Sequence, residues 1–146
     1  MKTHGGFYVS RVHQLSGRAF EHILKKSGVD MFNGPQGRIL YVLWDRGELS
    51  ISEVGKLTSL AKTTLTSMLD RMEEAGLVCR TPDINDRRQI FITITEKAKQ
   101  YKTTYDAVSE QMNTLFYKDF REDEIVLFEN MLERIMSNLE SNNTIK

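Results

Sequence analysis

KTTLTSMLDRMEEAGLVCRTPDINDRRQIFITITEKAK, residues Lys62–Lys99, is the stretch whose reading decides the fold. Its first part has a helical period: Leu65, Leu69 and Met72 share one face, and Gly76 is the residue type that closes helices. Then the period changes. Ile90, Ile92 and Ile94 alternate with Phe91 and Thr93, so Gln89 to Ile94 reads as a half-buried strand, with Leu77 to Thr81 as its partner. Between them Pro82-Asp83-Ile84-Asn85-Asp86-Arg87-Arg88 is a polar, turn-forming tip that ends in adjacent arginines.

Upstream, Ser50-Ile51-Ser52-Glu53 reads as a capping box, in which the Ser50 hydroxyl and the Glu53 carboxylate each satisfy an unpaired backbone N–H. The short helix it opens carries Ile51, Val54 and Leu57. That helix, a turn and the helix from about Lys62 to Glu74 make a helix-turn-helix. Followed by a hairpin with a basic tip, the unit is a winged helix. A further helix starts near Pro35, suited to a first turn, runs through Ile39, Leu40, Leu43 and Trp44, and stops at Gly47. Before it, Tyr8, Val12, Leu15, Ala19 and Ile23 recur at steps of three and four, with Gly28 as the stop.

Downstream, Ala98, Tyr101, Tyr105, Val108, Met112 and Leu115 form one heptad-like series, and Ile125, Phe128, Leu132, Ile135 and Leu139 form another. Thr93-x-x-Glu96 and Asp119-x-x-Glu122 are read as the capping boxes that open them. The second series is the expected dimer seam, because it lies outside the winged-helix core and is rich in large apolar side chains. Packing within one chain is the alternative. The expected fold is therefore mainly α with a small β-hairpin wing. It consists of a winged helix-turn-helix over 34–95 and a helical dimerisation region of helices 7–27 and 96–141, in one domain of 1–146.

Composition bounds the function. The chain has 146 residues, 40% of them hydrophobic, which is enough to bury a core. Twenty basic residues balance 20 acidic ones, so contact with nucleic acid has to come from a local concentration of charge. A single cysteine, Cys79, excludes an intramolecular disulfide framework, and its place in a strand predicts an inert buried thiol. The N-terminal residues lack the apolar core of a signal peptide, and no apolar run approaches the ~20 residues that span a bilayer. The expectation is a soluble cytoplasmic protein. His4, His13 and His22 are spaced by nine, not at metal-ligand spacing, and no HExxH or phosphate-cradling Gly-rich motif is present. No enzyme, metal site or cofactor is expected.

Recognition helices present their N-terminal residues to base edges. Thr63, Thr64, Thr66 and Ser67 are short hydroxyl side chains suited to phosphates and base edges, and Lys62 adds charge where a helix N-terminus already attracts phosphate. On the hairpin tip, Arg87 and Arg88 suit a minor groove, with Asp86 placed to hold a guanidinium fork through a bidentate pair. Near-zero net charge keeps a second reading open, a winged helix that binds another protein.

Residues 62–99 closely resemble the MarR family (multiple-antibiotic-resistance regulators), most specifically in LDRMEEAGLV and in the wing DINDRR followed by a strand ending in Thr-x-x-Ala. The order and spacing of these parts extend the resemblance over nearly the whole chain. It implies a homodimeric repressor of a pseudo-palindromic operator, released by a small-molecule effector. Lys62, Thr63, Thr64, Thr66 and Ser67 would serve the major groove, Arg88 the minor groove with Asp86 in support, and Arg71 the backbone or wing. Two departures stand out. Ser67 replaces a frequent Arg or Asn, and Ala61 stands where Ser or Thr often caps the helix, a loss of about 1 kcal/mol unless Ser59 caps instead. The resemblance also implies a cleft for small aromatic acids or lipophilic compounds near Gln14, Leu15, Arg18, Pro35 and Tyr101 or Tyr105. Arg18 would pair with a carboxylate and the tyrosines would stack on a ring.

Overall fold

The computed structural model describes residues 1–142, which contain α1 (Gly5–Lys26), α2 (Gly34–Arg46), β1 (Leu49–Ser50), α3 (Ile51–Thr58), α4 (Lys62–Glu74), β2 (Val78–Pro82), β3 (Ile90–Ile94), α5 (Glu96–Lys99), α6 (Lys102–Phe116) and α7 (Glu122–Glu140). They divide into two compact units, Met1–Met112 and the residues from Asn113 onward.

The core of the first unit is apolar and tightly closed. Ile39, Leu40 and Leu43 of α2, Val54 of α3, Leu65, Leu69 and Met72 of α4, and Ile92 of β3 are all buried. Aromatic rings extend this core along one side: Phe32 meets Tyr101 edge-on at 5.7 Å, and Trp44 meets Tyr105 at 5.3 Å. Trp44 is fixed at its polar end, where its Nε1–H donates to the Ala98 carbonyl at 3.2 Å.

Most helix limits follow the local chemistry. Ser50 and Glu53 form the expected reciprocal cap, at 3.1 and 3.0 Å. A second box opens α2, where Asn33 accepts from the Gln36 N–H and Gln36 reaches back to the Asn33 N–H. Gly28, Gly47 and Gly76 take positive φ after α1, α2 and α4, the left-handed conformation that glycine adopts without strain. Gly37 has a different reason to be glycine, because a Cβ there would lie 2.6 Å from Tyr105 Cε2.

The sheet is larger than a hairpin. β1 adds to the outer side of β3, giving the order β1-β3-β2, all antiparallel, with Leu49 opposite Ile92 and Arg80 opposite Ile92 on the other side. Strand pairing ends at Pro82 opposite Ile90, so residues 83–89 project as the wing.

Several expectations are corrected. Thr93 lies inside β3, paired with Cys79, and caps nothing; Thr95 caps α5 by accepting from the Ala98 N–H at 3.2 Å. Asp119 sits in a left-handed turn at φ 64, and α7 instead begins after Arg121, whose N–H donates to Glu124 at 2.9 Å. The long series from Ala98 is divided between α5 and α6. Of the apolar residues of α3, Val54 is buried and Leu57 exposed. Cys79 is exposed as well, because its side of β2 faces away from the helices while the flanking Val78 is buried.

In the second unit Phe116 packs edge-on against Tyr117 at 4.9 Å, and both rings meet Phe128. Tyr117 donates to the Glu129 carboxylate at 2.6 Å; burial first, then that bond and charge, pushes its hydroxyl up to about 12. Ile125, Phe128 and Leu132 are half-buried, whereas Ile135 and Leu139 are exposed together with Val126, Leu127, Met131 and Met136. None of the described residues of α7 is buried. No helix among the described residues is long and apolar enough to cross a membrane.

Candidate nucleic-acid interface

Helix α4 has two distinct faces. Leu65, Leu69 and Met72 close the core, leaving Lys62, Thr63, Thr64, Thr66, Ser67 and Arg71 exposed to solvent. Thr66 donates its hydroxyl to the Lys62 carbonyl at 2.9 Å, and Arg71 reaches Ser67 Oγ at 3.4 Å, so these two hydroxyls already have local partners. The N-terminus of α4 carries no side-chain cap. Ser59 does not replace the missing one, since it occupies the left-handed position that ends α3, at φ 57. The first-turn amides of α4 are therefore donors facing solvent, with the positive end of the helix dipole behind them.

The wing is held at both ends. At its base Arg80 of β2 places Nη2 2.7 Å from Asp70 and 2.9 Å from Glu73, both on α4, and its N–H donates to the second Glu73 oxygen at 3.2 Å. Only 25% of the Arg80 side chain is exposed, so this clamp is shielded from water better than an ordinary surface pair. The Arg80 side-chain bond, followed by its backbone bond, holds the Glu73 carboxyl below the usual carboxylate range. Sequence reasoning passed over Arg80, Asp70 and Glu73. Opposite charges seven and ten positions apart, across the end of a helix and a turn, have no local spacing rule.

At the tip, Asp86 Oδ1 accepts from both the Arg88 N–H at 3.0 Å and Arg88 Nε at 3.2 Å. This corrects the expected fork-to-fork pair, because one carboxylate oxygen takes both bonds and the terminal guanidinium nitrogens stay outward. The Arg88 side chain is 91% exposed. The side chain of Arg87 has no hydrogen-bond or ion-pair partner among the described residues.

The first unit also holds a cavity of about 520 Å³ between α1 and α2. Gln14, Arg18, Pro35 and Tyr105 line it as expected, along with Phe20, Glu21, Lys25 and Arg38. Leu15 and Tyr101 do not: Leu15 is turned out to solvent, and Tyr101 packs on Phe32. His13 and His22 also line it, because the cavity spans about half the circumference of α1. Glu21 accepts from the Gly34 N–H and fixes the start of α2 against α1. Arg18, Lys25 and Arg38 make no ion pair among the described residues, which leaves the cavity with an excess of positive charge. The described residues contain no group of three or more His, Cys, Asp or Glu that could hold a metal ion.

The sequence model of the MarR family matches residues 32–90. The chain is 31% identical to the HTH-type transcriptional repressor IacR of Pseudomonas putida over 135 residues, which cover 92% of this chain and 79% of that protein. The chain belongs to the MarR family. The backbone is similar to that of reduced AbfR bound to DNA, with a TM-score of 0.72 and 29% identity over 92% of this chain and 91% of that one. It is also similar to an E. coli MarR variant in complex with operator DNA, with a TM-score of 0.80 and 24% identity over 89% of this chain and 91% of that one. This MarR-family protein is thus a DNA-binding transcription regulator of the winged helix-turn-helix class.

The Arg80 clamp has a pH signature. Glu73 has a lowered folded-state pKa, so its stabilisation is complete above the unfolded carboxylate value of about 4.3 and disappears as pH falls through the folded value. In urea unfolding, Arg80→Ala is expected to be less stable than the parent at pH 7, with the gap closing as pH falls below about 4.3. A gap that is the same at both ends of that range contradicts an ionic clamp.

Proposed function

We propose that two copies of this chain grip a pseudo-palindromic operator in double-stranded DNA as a homodimeric repressor. The winged helix-turn-helix of residues 34–95 does the reading, and the helices of residues 7–27 and 96–141 do the pairing. Lys62, Thr63, Thr64, Thr66 and Ser67 face the major groove, and Arg71 lies toward the DNA backbone or the wing. Arg87 and Arg88, with Asp86 as positioner, reach the flanking minor groove. The observation that carries this reading is the Arg80 clamp. It fixes a projecting arginine tip to the helix whose uncapped N-terminus and polar face are left open. Phosphate contacts at such a helix start would set the register, and base-edge contacts would supply specificity.

Pairing is supported by apolar surface with no cover of its own. Phe7, Tyr8, Val9, Val12 and Leu15 of α1 are exposed, as are Ile135 and Leu139 of the α7 seam. The cavity supports an effector site for a small aromatic acid. Arg18, Lys25 and Arg38 suit a carboxylate, while Phe20 and Tyr105 suit a ring. An effector that binds one separation of the two reading heads better than another would release the operator by differential affinity. A cytoplasmic location follows from this role.

Two measurements test the reading. On a duplex from the protein's own upstream region, Arg88→Ala is expected to weaken binding about 10- to 100-fold and to lower the slope of log K against log salt by about one. Unchanged affinity at every salt concentration removes the wing from the mechanism. Ile135→Glu with Leu139→Glu changes side chains already exposed in the single chain, so helix content should hold while sedimentation shifts from two subunits to one at micromolar concentration. A double variant that stays paired excludes this seam.

A further inference from the structure

The wing tip carries one residue that neither the fold nor the charge pattern explains. Ile84 is 97% exposed, so its side chain is essentially uncovered by the rest of the chain. Single exposed apolar residues are ordinary on protein surfaces. This one, however, stands on a loop built to hold its shape. Asp83 Oδ1 accepts from the Asn85 N–H at 2.9 Å, and the Asp83 N–H donates to the Gln89 carbonyl at 3.0 Å. The Gln89 N–H donates to the Asp86 carbonyl at 3.0 Å, and Asp86 holds Arg88. Ile84 lies between these two aspartate-fixed turns, on the same projection beyond the last strand pair as Arg87 and Arg88. Its β-branched side chain has few rotamers to lose on burial.

We propose that Ile84 is a specificity-determining residue for DNA: it enters the minor groove beside Arg88 and packs against the deoxyribose walls. The inference rests on the reading that the wing enters that groove. Apolar side chains are a recurrent device of minor-groove binding. Two features of the groove decide the preference. A narrow A·T groove brings both sugar walls within reach of one side chain, and its floor lacks the guanine N2 amino group. At a G·C pair that amino donor meets a methyl group and loses its water without gaining a partner. Ile84 therefore selects A·T pairs at the flank of each half-site through apolar contact, whereas Arg88 responds to the same flank through its charge.

The test uses full-length protein and three duplexes of its own upstream region, with the base pairs under the wing as A·T, G·C or inosine·cytosine. Inosine lacks the N2 amino group, so that pair presents an A·T-like minor groove with a G·C-like major groove. Ile84→Ala is expected to weaken binding to the A·T flank about fivefold to tenfold with an unchanged salt slope, since no charge is removed. The parent protein should lose affinity on the G·C flank and regain it on inosine·cytosine, and Ile84→Ala should discriminate less. An unaltered melting temperature for Ile84→Ala shows that the fold is intact, as expected for a side chain that packs on nothing. If Ile84→Ala binds all three duplexes like the parent while Arg88→Ala shows its loss of slope, the proposal is overturned and the wing reading stands. If Arg88→Ala is also without effect, or the parent shifts none of the duplexes, the wing reading fails and this inference falls with it.

Discussion

One guanidinium fixes the relation between the two parts that would read DNA. Arg80 belongs to the first wing strand, and its two carboxylate partners, Asp70 and Glu73, belong to α4. Without that tie, the wing would meet the helix through the turn at Gly76, the bonds around that turn and the apolar contacts beneath the sheet. With it, the strand leaves α4 in a set direction, and β3, paired on both sides, stiffens the base of the wing. The carboxylates raise the already high Arg80 value further, so its charge is constant across the pH range in which the protein is folded. Nearby bonds extend the same joint: Lys97 donates to the Ala75 carbonyl, and Thr95 donates to the Gly76 carbonyl at 2.6 Å.

From this joint outward, the molecule combines rigid placement with unfilled bonding capacity. The α4 amides have no cap, the Arg88 fork points away from its aspartate, and the cationic groups of the cavity lack ion-pair partners among the described residues. Each would be a small defect in an isolated domain. A missing cap alone is worth about 1 kcal/mol. Together they describe surfaces suited to phosphate, a groove floor and a carboxylate. The exposed apolar residues of α1 and α7 extend the same logic to a second copy of the chain.

Much of this was legible in the sequence because the signals were local. The Ser50–Glu53 box, the glycine stops and the change from helical to strand period each occupy a few residues and have one dominant physical cause. Local patterns mislead where a long-range constraint overrides them. Thr93 has the Glu three residues on that a capping box asks for, but it is committed to the β3 ladder, and Thr95 caps α5 with its hydroxyl alone. Asp119 suited an N-cap by residue type, yet the chain turns there in a left-handed conformation and the helix starts later. Residue type does not say which face of β2 Cys79 takes, since a small apolar residue fits either, and it is exposed. β1 is too short to carry a period at all. Of the expected cavity residues, Gln14 and Arg18, four apart on α1, are brought together with Pro35 and Tyr105 from other helices, while Leu15, next to Gln14 in sequence, points elsewhere on the helix.

In the proposed complex, paired reading heads, each a clamped helix and wing, meet one face of B-form DNA at a fixed pitch. Hydroxyl-radical footprinting of the protein on its own upstream region measures that pitch directly. Two equivalent protected blocks are expected, with centres about one helical turn, ~34–36 Å, apart, each flanked outward by a protected stretch of minor groove. A single block, or two blocks whose flanking minor grooves are cleaved as freely as in bare DNA, would contradict it.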